Sequence, residues 1–191
     1  MGEEQGVEVK EGHWAWVVDP SDSTKNYIRG LPIVGGLIAL VHGYEPRVGV
    51  IYMPALGEGV RARKGAGCFN HRGERQEVSK TSKLGDSMIT HGEVDYLLEG
   101  PYSAGFRKLA SDVHAVRGFG DFYGHMLVMA GQSEAMVDPI VTPWDGAPVQ
   151  ICVEEAGGRF TNLEGKEGFL GGSALSSNGL LHEEILKRLK S

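Results

Sequence analysis

Blocks of lysine and arginine, a cysteine framework and long apolar runs are all missing from this 191-residue chain. Its 19 basic side chains are interspersed among 25 acidic ones, for a net charge of −6, so nothing resembles the basic stripe of a protein that binds a nucleic acid polymer. No apolar run approaches the ~20 residues that span a bilayer. The start, Met1-Gly2-Glu3-Glu4, lacks the basic and apolar layout of a secretory signal. Gly2 follows Met1, but position 6 is glycine rather than serine or threonine, which argues against myristoylation. The two cysteines, Cys68 and Cys152, are far apart and show no metal-type spacing; two reduced thiols in a cytoplasmic protein are expected.

Glycine, by contrast, is abundant, with 29 residues set between apolar segments as in a chain of many tight turns. The length suffices to bury a core in one domain or two small lobes. Strands are expected over residues 13–18, 33–41, 48–52, 58–64 and 74–78, with a hairpin turn at 42–46, which makes the first part an antiparallel sheet. Pro20 is expected to stop the first strand, and Trp14 and Trp16 read as packing residues. After about residue 83 the pattern changes. Helices are expected over 104–111, 122–130, 144–156 and 181–190, alternating with short strands at 87–90, 115–117, 135–137 and 159–162, as in an α/β lobe. The boundary falls near residues 79–86, dividing the chain into 1–82 and 83–191.

Residues 14–27 carry the strongest chemical signal. An apolar run ends in Asp19-Pro20, Asp22 follows after one residue, and Ser23-Thr24 comes next, in front of a possible helix N-terminus. Carboxylates on one turn beside free backbone N–H groups suit a divalent cation next to a phosphate, although Asp22 or Ser23 could equally cap the helix. Further acidic motifs flank this one: Gly2-Glu3-Glu4 upstream, and Trp144-Asp145-Gly146-Ala147 leading to Glu155-Ala156-Gly157-Gly158 downstream.

These motifs, in this order, resemble those of the inositol monophosphatase family of magnesium-dependent, lithium-sensitive phosphatases. Within it the chain looks most similar to histidinol-phosphate phosphatases, on Asp22-Ser-Thr-Lys25, Gly120-Asp121-Phe122-Tyr123-Gly124, Met136-Val137-Asp138-Pro139 and residues 178–183. The resemblance implies an α/β (α+β) fold, a layered αβαβα sandwich of the sugar-phosphatase type. It also implies a phosphoric monoester hydrolase with two or three Mg²⁺ ions, Mn²⁺ or Ca²⁺ being able to substitute in binding. Carried over by motif, Glu3, Asp19 and the Ser21 carbonyl would hold one ion, and Asp19, Asp22 and Asp145 a second. Glu3 and Thr24, together with Asp22, would be catalytic, Thr24 pairing with Glu3 to orient a water for in-line attack. Backbone N–H groups of Ser23 and Thr24 would bind phosphate, and Asp121 and Asp138 the leaving alcohol. Paired carboxylates there favour a cationic alcohol such as histidinol, although either residue could instead serve only as a cap or a strand end. Inositol monophosphatase or nucleotide 3′-phosphatase activity is the alternative, and a non-catalytic metal-binding member an alternative of another class. A homodimer acting on a small phosphorylated metabolite in histidine biosynthesis is implied too.

The chain departs from the family pattern twice. Ser23 stands where glycine is usual, and serine there fits readily only if its φ is negative. The chain also begins at the Gly-Glu-Glu motif, without the two helices that usually precede it and cover one face of the sheet; an apolar face left open would favour association.

Overall fold

The structure is a computed structural model and describes residues 9–191. The first half of the chain forms a six-stranded sheet in the order β1 to β6 (Trp14–Asp22, Gly35–His42, Glu45–Met53, Glu58–Arg63, Gly67–Asn70, Arg75–Gln76), every neighbour antiparallel. A short helix, α1 (Thr24–Ile28), interrupts it after β1. Gly43-Tyr44 makes the β2–β3 turn, with Gly43 at a φ of 59°. Pro20 does not end β1. The strand runs on to Asp22 across an irregularity between Asp19 and Asp22, where Pro20 needs no ladder donor.

The second half builds a mixed five-stranded sheet in the order β10-β11-β9-β7-β8. Its strands are β7 (Met88–His91), β8 (Ala115–Arg117), β9 (Ala135–Asp138), β10 (Arg159–Thr161) and β11 (Ala174–Ser177). Helices α2 (Val94–Glu99), α3 (Ser103–Asp112) and α6 (His182–Leu189) belong to a core that includes Leu97, Leu109, Leu175 and Ile185. Helices α4 (Asp121–Met129) and α5 (Pro143–Glu155) share the other core with the first sheet, through Leu37, Ile51, Phe122 and Ile151. The described layers are therefore sheet, helix pair, sheet and helices. This is the mixed α/β fold that the motifs imply. Strand β11 and helix α2 are not apparent in the sequence. β11 is only four residues, two of them serine, and all four are buried, so its burial comes from the neighbours β9 and β10 rather than from apolar patterning.

Helix α5 seats on the first sheet because Gly49 has no side chain. A Cβ there would lie 2.4 Å from Ile151 Cγ2 and 2.9 Å from the Pro148 carbonyl. At the other end of α5, Glu155 accepts the N–H groups of Gly65 and Gly67, each at 2.7 Å, tying the β4–β5 turn to the helix. Trp14 and Trp16 are not part of the core, and Trp14 lies against the His42 ring with centroids 4.7 Å apart. The two tryptophans are 62% and 57% exposed on the opposite face of the first sheet, together with Ile38 and Tyr52. The alternation along β1 turns Val17 and Asp19 inward instead.

His182, at the start of α6, is fully buried between the Thr161 hydroxyl (2.9 Å) and the Ser177 hydroxyl (2.7 Å). Burial, with some help from Arg159, pushes its pKa from 6.5 down to about 4. The unfolded chain then binds this proton more readily than the folded one. The stabilisation is complete above about pH 6.5 and is lost as the pH falls through about 4. A loss of ~3 kcal/mol over that window is expected. Urea unfolding of the protein and of His182→Gln at a series of pH values checks it: the variant should have a distinctly shallower acid slope.

Candidate metal and phosphate site

The end of β1 and the start of α5 bring Asp19, Asp22 and Asp145 together. One oxygen from each lies within 4.8 Å of the others, and this is the constellation that the motifs predict. Glu3 lies outside the described residues. Asp19 is almost fully buried, and its Oδ1 accepts the Ser21 N–H at 2.8 Å. Asp145 Oδ2 accepts both the hydroxyl (2.6 Å) and the N–H (3.1 Å) of Thr142, completing a capping box at the start of α5. Its other oxygen, Oδ1, is buried and has no hydrogen bond among the described residues. Asp22 reaches across the molecule: Oδ1 accepts the Ser23 N–H, and Oδ2 accepts the Phe122 N–H of α4 at 3.3 Å.

The electrostatics of this cluster call for a cation. Burial, followed by repulsion from Asp145, Asp121 and Asp19, pushes the Asp22 pKa up to about 8. Burial raises Asp145 to about 7, opposed by the Thr142 hydroxyl and reinforced by Asp19. Three carboxylates, one with a buried and unpartnered oxygen, provide the oxygen-only donor set of a hard divalent cation. The residues present therefore fit a metal ion. The Ser21 carbonyl, also expected as a ligand, accepts the Thr24 hydroxyl at 3.0 Å and keeps a second lone pair. The pairing of Thr24 with Glu3 falls outside the described residues.

Two clefts adjoin the cluster. One, of about 230 Å³, is lined by Ser21, Ser23, Thr24 and Lys25 on the first sheet's side and by Glu93 and Asp121 on the other. Lys25, an exposed side chain, pairs with Glu93 across its rim. The second, of about 40 Å³, is lined by Asp22, Asp121, Asp138 and Asp145 with His125 and Phe122. Asp121 and Asp138 thus line one cavity with Asp22 and Asp145. No side-chain cap is formed at the start of α4, whose first turn is reached by Asp22 instead. Burial raises the Asp121 pKa, and the nearby Ser23 hydroxyl lowers it.

Ser23 and Asp121 are the two described non-glycine residues with positive φ, at 68° and 54°. The negative φ that would suit serine at position 23 is not what the chain adopts. Left-handed backbone costs an L-residue on the order of 1 kcal/mol or more, and the Ser23 hydroxyl is buried without a full hydrogen bond. His125 and Ser176 were passed over in the sequence. The available signal was spacing, since His125 follows Asp121 by one helical turn. Ser23→Gly is expected to stabilise the protein by ~1 kcal/mol in chemical denaturation. It should also tighten binding of inorganic phosphate in the presence of Mg²⁺, measured by calorimetry. A loss of stability would show that the left-handed turn is not strained.

Comparison with known proteins agrees with this geometry. The model of the inositol monophosphatase family matches residues 1–191. The chain is 38% identical to a histidinol-phosphatase of Mycobacterium tuberculosis, over 100% of this chain and 75% of that protein. It is 40% identical to a histidinol-phosphatase of Streptomyces coelicolor, over 97% and 72%. Among solved structures, the Thermotoga maritima IMPase superposes with a TM-score of 0.85 at 32% identity, covering 99% of this chain and 72% of that one. An inositol monophosphatase from Anabaena gives a TM-score of 0.89 at 30% identity, over 99% and 77%. Motifs, fold and the convergence of the three carboxylates lead to one conclusion: the chain belongs to the inositol monophosphatase family, whose members are metal-dependent phosphatases.

Proposed function

We propose that this chain is a Mg²⁺-dependent phosphomonoesterase that hydrolyses the phosphate ester of a small cationic alcohol, with histidinol phosphate as its substrate. The observation that carries the reading is the small cavity where Asp121 and Asp138 face Asp22 and Asp145. A site so rich in carboxylates repels an anionic leaving group and gives a neutral polyol no advantage, whereas an ammonium or imidazolium group is attracted. The names of the Mycobacterium and Streptomyces relatives support the same substrate.

Asp19, Asp22 and Asp145 would hold the cation, with Glu3 and the Ser21 carbonyl completing an adjoining site. Bound there, Mg²⁺ would neutralise phosphate charge and activate a water nucleophile. The protein's own contribution is placement. Backbone N–H groups at the start of α1, whose residues line the larger cleft, would hold phosphate oxygens. The Ser23 N–H donates to Asp22 Oδ1, which ties this turn to a carboxylate that would hold the cation. The Thr24 hydroxyl, donated to the Ser21 carbonyl, fixes the loop between them. Asp121 and Asp138, which line the small cavity with Asp22 and Asp145, would bind the leaving alcohol.

Phosphate release from histidinol phosphate, inositol 1-phosphate and a nucleoside 3′-phosphate, with and without Mg²⁺, tests the reading. Release should require Mg²⁺ and favour histidinol phosphate by tenfold or more in kcat/KM. Equal rates on the three, or a preference for the polyol, would overturn the substrate assignment. Metal binding without release from any of them would favour a non-catalytic member. Asp22→Asn should abolish release while leaving circular dichroism intact. Asp121→Asn should raise KM for histidinol phosphate about tenfold with a smaller change in kcat.

A further inference from the structure

Asp138 ends β9 with its carboxylate almost fully buried, 5% exposed. One oxygen accepts only a long hydrogen bond, from the Ile140 N–H at 3.4 Å. The other lies 3.7 Å from Nε2 of His125. His125 is itself buried, 2% exposed, in the middle of α4, and its Nδ1 lies 2.7 Å from the hydroxyl of Ser176 on β11. Ser176 is fully buried and has no other side-chain hydrogen bond among the described residues. The three side chains therefore form a line, from the middle of the second sheet, through α4, to the floor of the small acidic cavity that both His125 and Asp138 line.

The polarity of this line follows from its chemistry. A neutral imidazole carries one N–H, and its other nitrogen accepts. If the Ser176 hydroxyl donates to Nδ1, the ring proton sits on Nε2 and points at Asp138, the one carboxylate paired with His125 among the described residues. A nearly buried carboxylate with one weak backbone bond would otherwise be free to swing. The opposite wall constrains it as well. A Cβ on Gly92 would lie 2.5 Å from Asp138 Oδ1 and 2.9 Å from its Cγ, so the carboxylate occupies space that exists because position 92 has no side chain.

We propose that His125, held by Ser176, is a positioning residue of the leaving-group pocket: it fixes the direction in which Asp138 presents its charge to a cationic alcohol. The proposal deepens the functional reading above and rests on it. His125 does not touch the reacting atoms. It acts through Asp138, and the effect of losing it falls on recognition of the cation rather than on the chemistry at phosphorus.

The test compares His125→Leu, His125→Gln and Ser176→Ala with the unaltered protein. The readouts are kcat and KM for histidinol phosphate and for glycerol 2-phosphate, a neutral-alcohol ester, and calorimetric binding of free histidinol in the presence of Mg²⁺. In His125→Leu, KM for histidinol phosphate should rise about tenfold with kcat changed less than threefold. The ratio of kcat/KM between the two substrates should fall about tenfold. His125→Gln keeps an N–H donor and should recover most of that ratio, and Ser176→Ala should show a smaller loss in the same direction. Equal losses on both substrates, or no rescue by glutamine, would mark His125 as structural and overturn the proposal. If the unaltered protein releases phosphate from neither ester, the phosphatase reading fails, and histidinol binding decides separately. Weaker binding in His125→Leu than in the unaltered protein upholds the positioning role. Equal binding, or none in the unaltered protein, overturns it.

Discussion

Mutual repulsion of carboxylates at the meeting point of the two sheets is the constraint around which the rest of this molecule is arranged. Two unit charges within 4.8 Å cost on the order of 3 kcal/mol at an effective dielectric constant near 20, and Asp19, Asp22 and Asp145 form three such pairs. Asp121 adds to the repulsion on Asp22. Packing and hydrogen bonds elsewhere must hold these groups against that force. Asp19 is fixed by the strand that carries it and by the Ser21 N–H, and Asp145 by its capping box with Thr142. The residual frustration appears as carboxyl groups whose protons are held up to neutral pH. A divalent cation removes the frustration at its source, so the same geometry that is costly alone is well suited to binding.

The supports of the cluster come from distant parts of the chain. Strand β1 supplies two of its carboxylates and α5 the third, and the close approach of α5 to β3 keeps them in register. Asp22 adds a link to α4 by accepting the Phe122 N–H. A carboxylate of the cluster thereby also orients the helix that carries Asp121 and His125. The carboxylate cluster and the small acidic cavity beside it are joined by one side chain as well as by proximity.

Much of this was legible in the sequence, and the failures have physical causes. The hairpin strands and the longer helices announce themselves by periodicity, and the acidic motifs by residue type and spacing. Asp19, Asp22 and Asp145 could be grouped before their geometry was known because their motifs resemble those of the family, in the same order along the chain. Strand β11 could not be read, since Ala174–Ser177 owes its conformation to β9 and β10 on either side. Trp14 and Trp16 misled because alternation tells that two faces differ but not which of them is covered; here the face bearing Val17 and Asp19 is inside. Pro20 misled because a proline ends a strand only where a ladder donor is needed, and the irregularity in β1 removes that need. The left-handed backbone at Ser23 was hidden for a similar reason: the turn is imposed by the site, not by the residue that occupies it.

Gly92 carries a consequence for how this pocket can change. It bears no charge, donates nothing to the cluster and lies on a loop between β7 and α2. Yet the Asp138 carboxylate rests where its side chain would be. A single added methyl group would re-aim a buried carboxylate without touching Asp19, Asp22 or Asp145. If the proposed function holds, preference for one alcohol over another can drift at a chemically silent position.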